Sequence, residues 1–138
     1  MTAMLETIAA MSGVRVAVLG DVMIDRYVMG ETERISPEAP IPVIKVVREQ
    51  TMLGGAGNVA RNIAAMGGQV ALVGLIGSDE TGVEVEAAAA RVTGLTPMLV
   101  RDAGRATTLK TRFLAQGQQL LRVDRETTAP AAGALAEE

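Results

Sequence analysis

Cysteine and histidine are both absent from this sequence of 138 residues, which also has no tryptophan, one tyrosine and one phenylalanine. Without cysteine or histidine the chain can form no disulfide, thiol nucleophile, zinc site or Ser-His or Cys-His catalytic arrangement. With so few aromatic rings it has no platform on which nucleobases could stack. These absences remove the commonest nucleophilic and zinc-binding chemistries at the outset.

An excess of positive charge is also missing. Thirteen Lys and Arg residues stand against sixteen Asp and Glu residues, which gives a net charge of −3 and a sequence pI near 5.0. No basic stripe is available to neutralise phosphates, which argues against nucleic acid as a partner. No apolar run approaches the roughly 20 residues that span a bilayer, and no basic segment precedes a cleavable hydrophobic one. We therefore expect a soluble cytoplasmic protein with no membrane partner.

The residues that are plentiful predict an α/β fold. Hydrophobic residues make up 49% of the chain and are mostly Ala, Val, Leu, Ile and Met. Apolar strands bounded by glycine alternate with Ala-rich helices, as in the βαβ units of a doubly wound sheet. We expect strands at 14–20, 69–77 and 97–101, and helices at 1–12, 59–66 and 83–92. Strand 14–20 is apolar on both faces, which predicts a buried, central strand.

Two further strand pairs have a different character. Segments 27–30 and 41–47 read as strands, and three prolines fall within six residues between 37 and 42. Proline disfavours helices and central strands, so we expect an edge hairpin or lid, which is also a natural dimerisation surface. Segments 107–114 and 119–125 predict a second hairpin, in which Thr108, Lys110 and Arg112 share one face.

A glycine-rich stretch from Leu53 to Asn62 runs into a helical segment. Three glycines allow the backbone to approach a ligand closely. Asn58 stands where a helix would begin, so its side chain could cap free N–H groups or hydrogen-bond a ligand hydroxyl. We interpret it as a substrate-binding turn capped onto a helix, the alternative being a strand-to-helix connection without a ligand. Asp21 and Asp25 follow the first strand, where open α/β sheets bind ligands, although Asp21 could instead cap a turn and Asp25 could be solvated.

These motifs resemble those of a known family. The run from Gly54 to Ala60, followed by Gly67 after six residues and Gly77 after nine more, resembles the first signature of the ribokinase-like (PfkB) carbohydrate kinases. Segments 20–28 and 33–43 resemble the heptose-7-phosphate kinases of lipopolysaccharide synthesis, which are often joined to an adenylyltransferase. The similarity covers about residues 4 to 126.

The resemblance implies a ribokinase-like doubly wound sheet with a small protruding β-lid. Residues 1–27 and 48–104 would form the N-terminal part of the kinase core. Residues 28–47 and 105–125 would form the lid, which would also act as the clasp of a homodimer. Residues 126–138 would start a further helix in a truncated chain.

The resemblance also implies roles for single residues. Asp25 would bind sugar hydroxyls, while Gly54, Gly55 and Asn58 would hold the same sugar from the other side. Lys110 and Arg112 are the candidates for the substrate's 7-phosphate, unless the lid turns them into a dimer contact. The reaction implied is transfer of the ATP γ-phosphoryl, with Mg²⁺, to the anomeric hydroxyl of heptose 7-phosphate.

One departure from the family limits this expectation. The catalytic aspartate of the family lies in a Gly-Ala-Gly-Asp motif, which does not occur in these 138 residues. We therefore expect no catalytic residue and no metal ligand in this chain, which would supply the sugar-binding half and would not turn over alone. The alternatives are a kinase for another sugar, such as ribose or fructose, and a non-catalytic sugar-binding or dimerisation module. Dinucleotide binding is weaker, because Gly-x-Gly-x-x-Gly does not follow the first strand.

Overall fold

The computed structural model describes residues 2–130, which form three helices and two β-sheets. In chain order the elements are α1 (Thr2–Ala10), β1 (Arg15–Leu19), β2 (Val22–Ile35), β3 (Pro42–Gly55), α2 (Ala56–Ala65), β4 (Gln69–Gly77), α3 (Glu80–Ala90), β5 (Leu95–Asp102), β6 (Thr108–Ala115) and β7 (Gln118–Arg125). No helix in this part of the chain is long and apolar enough to span a bilayer.

The first sheet is parallel, with strand order β1-β4-β5. Helices α2 and α3 lie between its strands in sequence, so the predicted α/β fold class is confirmed. Strand β4 is central and matches its predicted bounds. The prediction that β1 is buried and central is wrong within residues 2–130, where β1 is at the edge of this sheet and Leu19 is 79% exposed. Apolar faces show that a strand favours burial, but its place in the sheet depends on long-range pairing.

The second sheet has strand order β3-β2-β6-β7. Strand β2 pairs antiparallel with β3 and parallel with β6, and β6 and β7 form the predicted hairpin. The first strand pair is longer than predicted. Its strands span Val22–Ile35 and Pro42–Gly55, in place of the predicted 27–30 and 41–47. Asp25 therefore lies inside a strand and not in a loop. Pairing with a neighbour on each side outweighs the low strand preference of a single aspartate.

The glycine-rich stretch is a direct strand-to-helix transition. Helix α2 begins at Ala56, and its N-cap is Gly55 with φ +55° and no side-chain cap. The expectation that Asn58 could cap this helix is wrong, because Asn58 already lies in the first turn. Residues 126–130 are not helical, and the remainder of the predicted C-terminal helix lies outside the described residues.

The core lies where the two sheets and the two connecting helices meet. Leu53 and Leu109 from the second sheet join it, so both sheets share one hydrophobic cluster. Burial of each such side chain stabilises the fold by about 1.5–3 kcal/mol. The largest fully buried apolar side chains are Ile24, Leu72, Ile76 and Val85.

Candidate functional site

The central strand β2 places most of the predicted site residues on one face of the second sheet. Asp25 is opposite Lys110 on β6, and the next residue pair on this face is Tyr27 and Arg112. On the other side of β2, Gly54 is opposite Met23. Side chains two residues apart on a strand share a face, and so do directly paired neighbours. Asp25, Gly54, Lys110 and Arg112 therefore form one cluster, as the period-two pattern predicted for the cations.

An ion pair between Asp25 and Arg112 is the centre of this cluster. The Nη1 group of Arg112 donates a hydrogen bond to Oδ1 of Asp25, and the two side chains are only 19% and 18% exposed. The guanidinium carbon also lies 5.2 Å from the centroid of the Tyr27 ring, within range of a cation–π interaction. The hydrogen bond to Asp25 raises the pKa of Arg112, outweighing the opposing effect of burial. The arginine is therefore a fixed cation between a carboxylate and an aromatic face.

Gly54 and Gly55 are required by the close packing around this pair. A Cβ at position 54 would overlap Oδ2 of Asp25 and would lie 2.8 Å from Cγ of Met23. At Gly55 the backbone has φ +55°, and a Cβ would overlap the carbonyl oxygen of Asp21. That carbonyl accepts a hydrogen bond from the N–H of Ala56 at 2.9 Å. The glycines thus let β3 turn into α2 directly beside the Asp25 carboxylate.

Lys110 has a different environment from Arg112. Its Nζ lies 3.2 Å from Oδ2 of Asp124 and 3.5 Å from Oε2 of Glu126. Asp124 also accepts a hydrogen bond from Arg122 at 2.9 Å. Burial raises the pKa of Asp124, but the hydrogen bonds from Arg122 and Lys110 outweigh it and hold that pKa below its usual range. Two carboxylates face Lys110, whereas a single carboxylate contacts Arg112.

Asn58 makes its side-chain hydrogen bond within helix α2 and not to the ion-pair cluster. Its Oδ1 accepts a hydrogen bond from Nη2 of Arg61, one turn along α2, at 2.8 Å. The side chain is therefore oriented by its own helix, and the structure leaves its role toward a ligand as a prediction.

A cavity of about 540 Å³ lies beyond the carboxyl end of β1. Its wall includes Asp21, Met23 and Thr108, so it adjoins the cluster around Asp25, and its far side is formed by residues 126–130. Clefts at this end of a parallel sheet are the usual ligand sites of open α/β folds.

The sequence patterns did not predict several residues of the site. Tyr27 stands two residues after Asp25, and strand periodicity puts both on one face when the strand begins at Val22. The predicted strand began only at residue 27, so this signal was lost. Asp124 faces Lys110 across the hairpin, a pairing that depends on register. Arg105 donates to the carbonyl oxygens of Thr127 and Ala129, at 3.2 and 2.9 Å, and no sequence signal indicates these contacts.

The chain is similar to known carbohydrate kinases. The model of the pfkB family of carbohydrate kinases matches residues 14–138. The "D-beta-D-heptose 7-phosphate kinase" of Bordetella bronchiseptica is 57% identical over 112 residues, covering 81% of this chain and 36% of that protein. The "Bifunctional protein HldE" of Caulobacter sp. (strain K31) is 56% identical over 124 residues, covering 90% of this chain and 25% of that protein. The chain thus spans about a quarter to a third of the length of these relatives.

Solved structures show the same architecture. A carbohydrate kinase from Agrobacterium tumefaciens superposes with a TM-score of 0.66 at 30% identity, covering 81% of this chain and 35% of its own. A ribokinase from Thermotoga maritima has a TM-score of 0.58 at 21% identity, which supports the fold alone, over 81% of this chain and 36% of its own. The fold is that of the ribokinase-like sugar kinases. The chain belongs to the pfkB family of carbohydrate kinases.

Proposed function

We propose that this chain supplies the sugar-phosphate-binding part of a heptose 7-phosphate kinase. The whole protein would transfer the ATP γ-phosphoryl to the anomeric C1 hydroxyl of heptose 7-phosphate, a step toward ADP-heptose for lipopolysaccharide. The names of the Bordetella and Caulobacter relatives support the choice of substrate. The observation that carries the proposal is the Asp25–Arg112 pair beside Gly54, because it joins an acceptor for hydroxyls to a donor for phosphate.

Asp25 retains binding capacity in this pair. A carboxylate offers about four acceptor positions, and the hydrogen bond from Arg112 uses one of them. Sugar hydroxyls both donate and accept, so they can bind to the remaining positions. Gly54, Gly55 and Asn58 would complete the sugar site from the side of α2. In the reaction these residues would orient the sugar, and accurate orientation alone lowers the barrier to in-line transfer.

Arg112 is the better of the two candidates for the 7-phosphate. Its guanidinium has five N–H donors, and the hydrogen bond to Asp25 occupies one of them. A planar fork of this kind binds phosphate oxygens in pairs. The positive charge of Lys110 is already balanced by Asp124 and Glu126, which would also repel a phosphate. We therefore assign the phosphate mainly to Arg112 and a weaker, longer-range contribution to Lys110.

ATP and Mg²⁺ are the cofactors that a kinase of this family implies in general. Among residues 2–130, no three acidic side chains come together in a way that could hold a metal ion. We propose that both bind mainly through parts of the protein beyond this chain. On this basis the chain alone would not turn over.

Residues 28–47 and 105–125, which belong mostly to the second sheet, would act as a lid over the sugar and as the clasp of a homodimer. All residues of β7 are exposed, including Leu121 at 55% and Val123 at 49%, and β7 is an edge strand. An exposed apolar edge strand favours pairing with another chain. These features support a contact between two copies through the lid.

Thermal unfolding with added ligand tests the proposed substrate. A ligand at about 100 times its Kd stabilises the folded state by roughly 2.7 kcal/mol, so the melting temperature should rise with heptose 7-phosphate. Ribose in place of the heptose tests the alternative sugar. We expect Asp25→Asn and Arg112→Gln to abolish the rise and Lys110→Gln to reduce it. Arg101→Gln should leave it unchanged, because Arg101 lies on β5 of the first sheet and pairs with Glu86 on α3. A rise with ribose alone, or an undiminished rise in Arg112→Gln, would contradict the assignment.

A further inference from the structure

A buried hydrogen-bond network joins the two sheets at the start of β6. Thr107 is 1% exposed, and its Oγ1 accepts a hydrogen bond from the N–H of Gly77 at 2.7 Å. The same hydroxyl donates to Oδ1 of Asp79 at 2.7 Å, and the N–H of Thr107 donates to Oδ2 at 2.9 Å. Oδ1 of Asp79 also accepts from the N–H of Gly82 at 2.8 Å, which caps α3. We call Gly77, Asp79, Gly82 and Thr107 the junction.

The Thr107 hydroxyl, the three N–H groups and the Asp79 carboxylate of the junction are matched to one another. The Thr107 hydroxyl has one proton, which goes to Asp79, so the hydroxyl must be the acceptor toward Gly77. Burial raises the pKa of Asp79, but the hydrogen bonds from Thr107 and Gly82 outweigh it and hold that pKa below its usual value. A carboxylate at 79 and a hydroxyl at 107 are thus matched in donors and acceptors. Loss of either would leave buried groups unsatisfied.

The junction is also too tight to shift without cost. A Cβ at Gly77 would overlap the carbonyl oxygen of Arg105 and lie 2.9 Å from the backbone nitrogen of Thr107. A Cβ at Gly82 would overlap the carbonyl oxygen of Gly77 and lie 3.1 Å from Oγ1 of Thr107. The end of β4 and the start of α3 therefore wrap closely around Thr107.

Strand β6 connects the junction to the candidate site. It begins at Thr108, next to Thr107, and runs parallel to β2 to carry Arg112 alongside Tyr27. At about 3.3 Å per residue, Arg112 lies roughly 16 Å along the strand from Thr107. Pairing with β2 sets the register of β6, while the junction fixes where the strand leaves the α/β core. Arg112 is thus held both by the pairing with β2 and by the junction at the start of its strand, and a displacement of Thr107 would shift how Arg112 lies against Asp25.

We propose that Thr107 and Asp79 are positioning residues, which hold Arg112 in place for sugar-phosphate binding without touching the ligand. The identity of the ligand rests on the proposed function, whereas the effect on the position of Arg112 does not. Tyr27 gives a direct readout, because it is the only tyrosine and the chain has no tryptophan. Its fluorescence and ring NMR signals report on the guanidinium that lies over the ring.

The test compares three variants of the chain with the wild type. Thr107→Val keeps the shape but removes the hydroxyl, Thr107→Ser keeps the hydroxyl, and Val85→Ala destabilises the core on α3 while leaving all four junction residues in place. We expect Thr107→Val to change the Tyr27 signals and to raise the Kd for heptose 7-phosphate about tenfold, which is 1.4 kcal/mol. Thr107→Ser should stay within about twofold of wild type. Val85→Ala should lower the melting temperature. At temperatures where this variant is folded, its Tyr27 signals and its Kd should match those of the wild type.

The two readouts, the Tyr27 signals and the binding of heptose 7-phosphate, distinguish failure of this inference from failure of the proposed function. A wild-type chain that binds no heptose 7-phosphate, with Tyr27 signals that still respond to Thr107→Val, would overturn the proposed ligand and support the positioning role. A folded Thr107→Val chain with wild-type Tyr27 signals would overturn the positioning role. If Thr107→Val does not fold, Asp79→Asn takes its place with the same two readouts. Unfolding of both would also overturn the proposal, because the junction would then hold the whole fold and not one strand.

Discussion

Substitution of Gly54 by alanine tests whether the glycine is needed by the Asp25–Arg112 pair. The new Cβ would overlap Oδ2 of Asp25 and would lie 2.9 Å from its Cγ and 2.8 Å from Cγ of Met23. Both neighbours are side-chain atoms, so the carboxylate would rotate away and break its hydrogen bond with Arg112. Hydrogen bonds to charged groups contribute about 1.5–3 kcal/mol, and overpacking of this size costs about 1–3 kcal/mol. We expect the free energy of unfolding to fall by about 1–3 kcal/mol.

Gly20 provides the matched control for this change. A Cβ there would make an ordinary contact at 3.4 Å with Cβ of Ala56, and Gly20 has no positive φ. Gly20→Ala should therefore be neutral, or stabilising by up to about 1 kcal/mol through the unfolded state. At about 4 °C per kcal/mol for a chain of this size, Gly54→Ala should lower the melting temperature by roughly 4–12 °C.

The assay is thermal unfolding of both variants, combined with Tyr27 fluorescence and the binding of heptose 7-phosphate. Gly54→Ala should change the Tyr27 signal and weaken binding, while Gly20→Ala should leave the Tyr27 signal unchanged. If the two variants had the same stability and the same Tyr27 signal, the reasoning from the space at Gly54 would be refuted.

Three further predictions concern other parts of the fold. Gly77→Ala should destabilise the chain by more than about 2 kcal/mol in denaturant unfolding, because its Cβ would meet backbone atoms of Arg105 and Thr107, which cannot rotate away. Asp79 has a pKa below its usual value of 3.8, so its stabilisation is present above about pH 4 and is lost as the pH falls through the lowered pKa. Asp79→Asn should therefore make the free energy of unfolding less dependent on pH below about pH 4. An unchanged dependence on pH in that range would contradict the assignment. The Arg26–Glu84 pair, at 2.6 Å with both side chains 31% exposed, should yield a coupling of about 0.2–1 kcal/mol in a double-mutant cycle that falls with salt; a larger, salt-independent coupling would count against this estimate.

The sequence predicted well those elements whose patterns are local. Strand β4 was placed residue for residue because glycines bound it and its apolar residues form one run. The hairpin of β6 and β7 followed from a turn between two strands rich in β-branched and apolar residues. The edge position of β1 and the full length of β2 could not be read in this way, because they depend on which strands pair across the chain.

The candidate site shows the same division. Strand periodicity placed Lys110 and Arg112 on one face, and the structure agrees. Their different charge environments could not be predicted, since Asp124 faces Lys110 only through the register of β6 and β7. The contact of Arg112 with Asp25 joins residues 87 positions apart. Proximity of that kind comes from the sheet topology and not from any local pattern.

The spacing of the glycine motif has a physical meaning in this fold. Gly54 and Gly55 lie beside Asp25. Six residues separate Ala60 from Gly67, whose φ of +87° ends α2. The next nine residues include nearly all of β4 and lead to Gly77 at the junction. The first glycines thus serve the site directly, while the last one makes room for Thr107. If the junction positions Arg112 as we propose, one motif supplies both the space for the carboxylate and the anchor of the strand that carries its cationic partner.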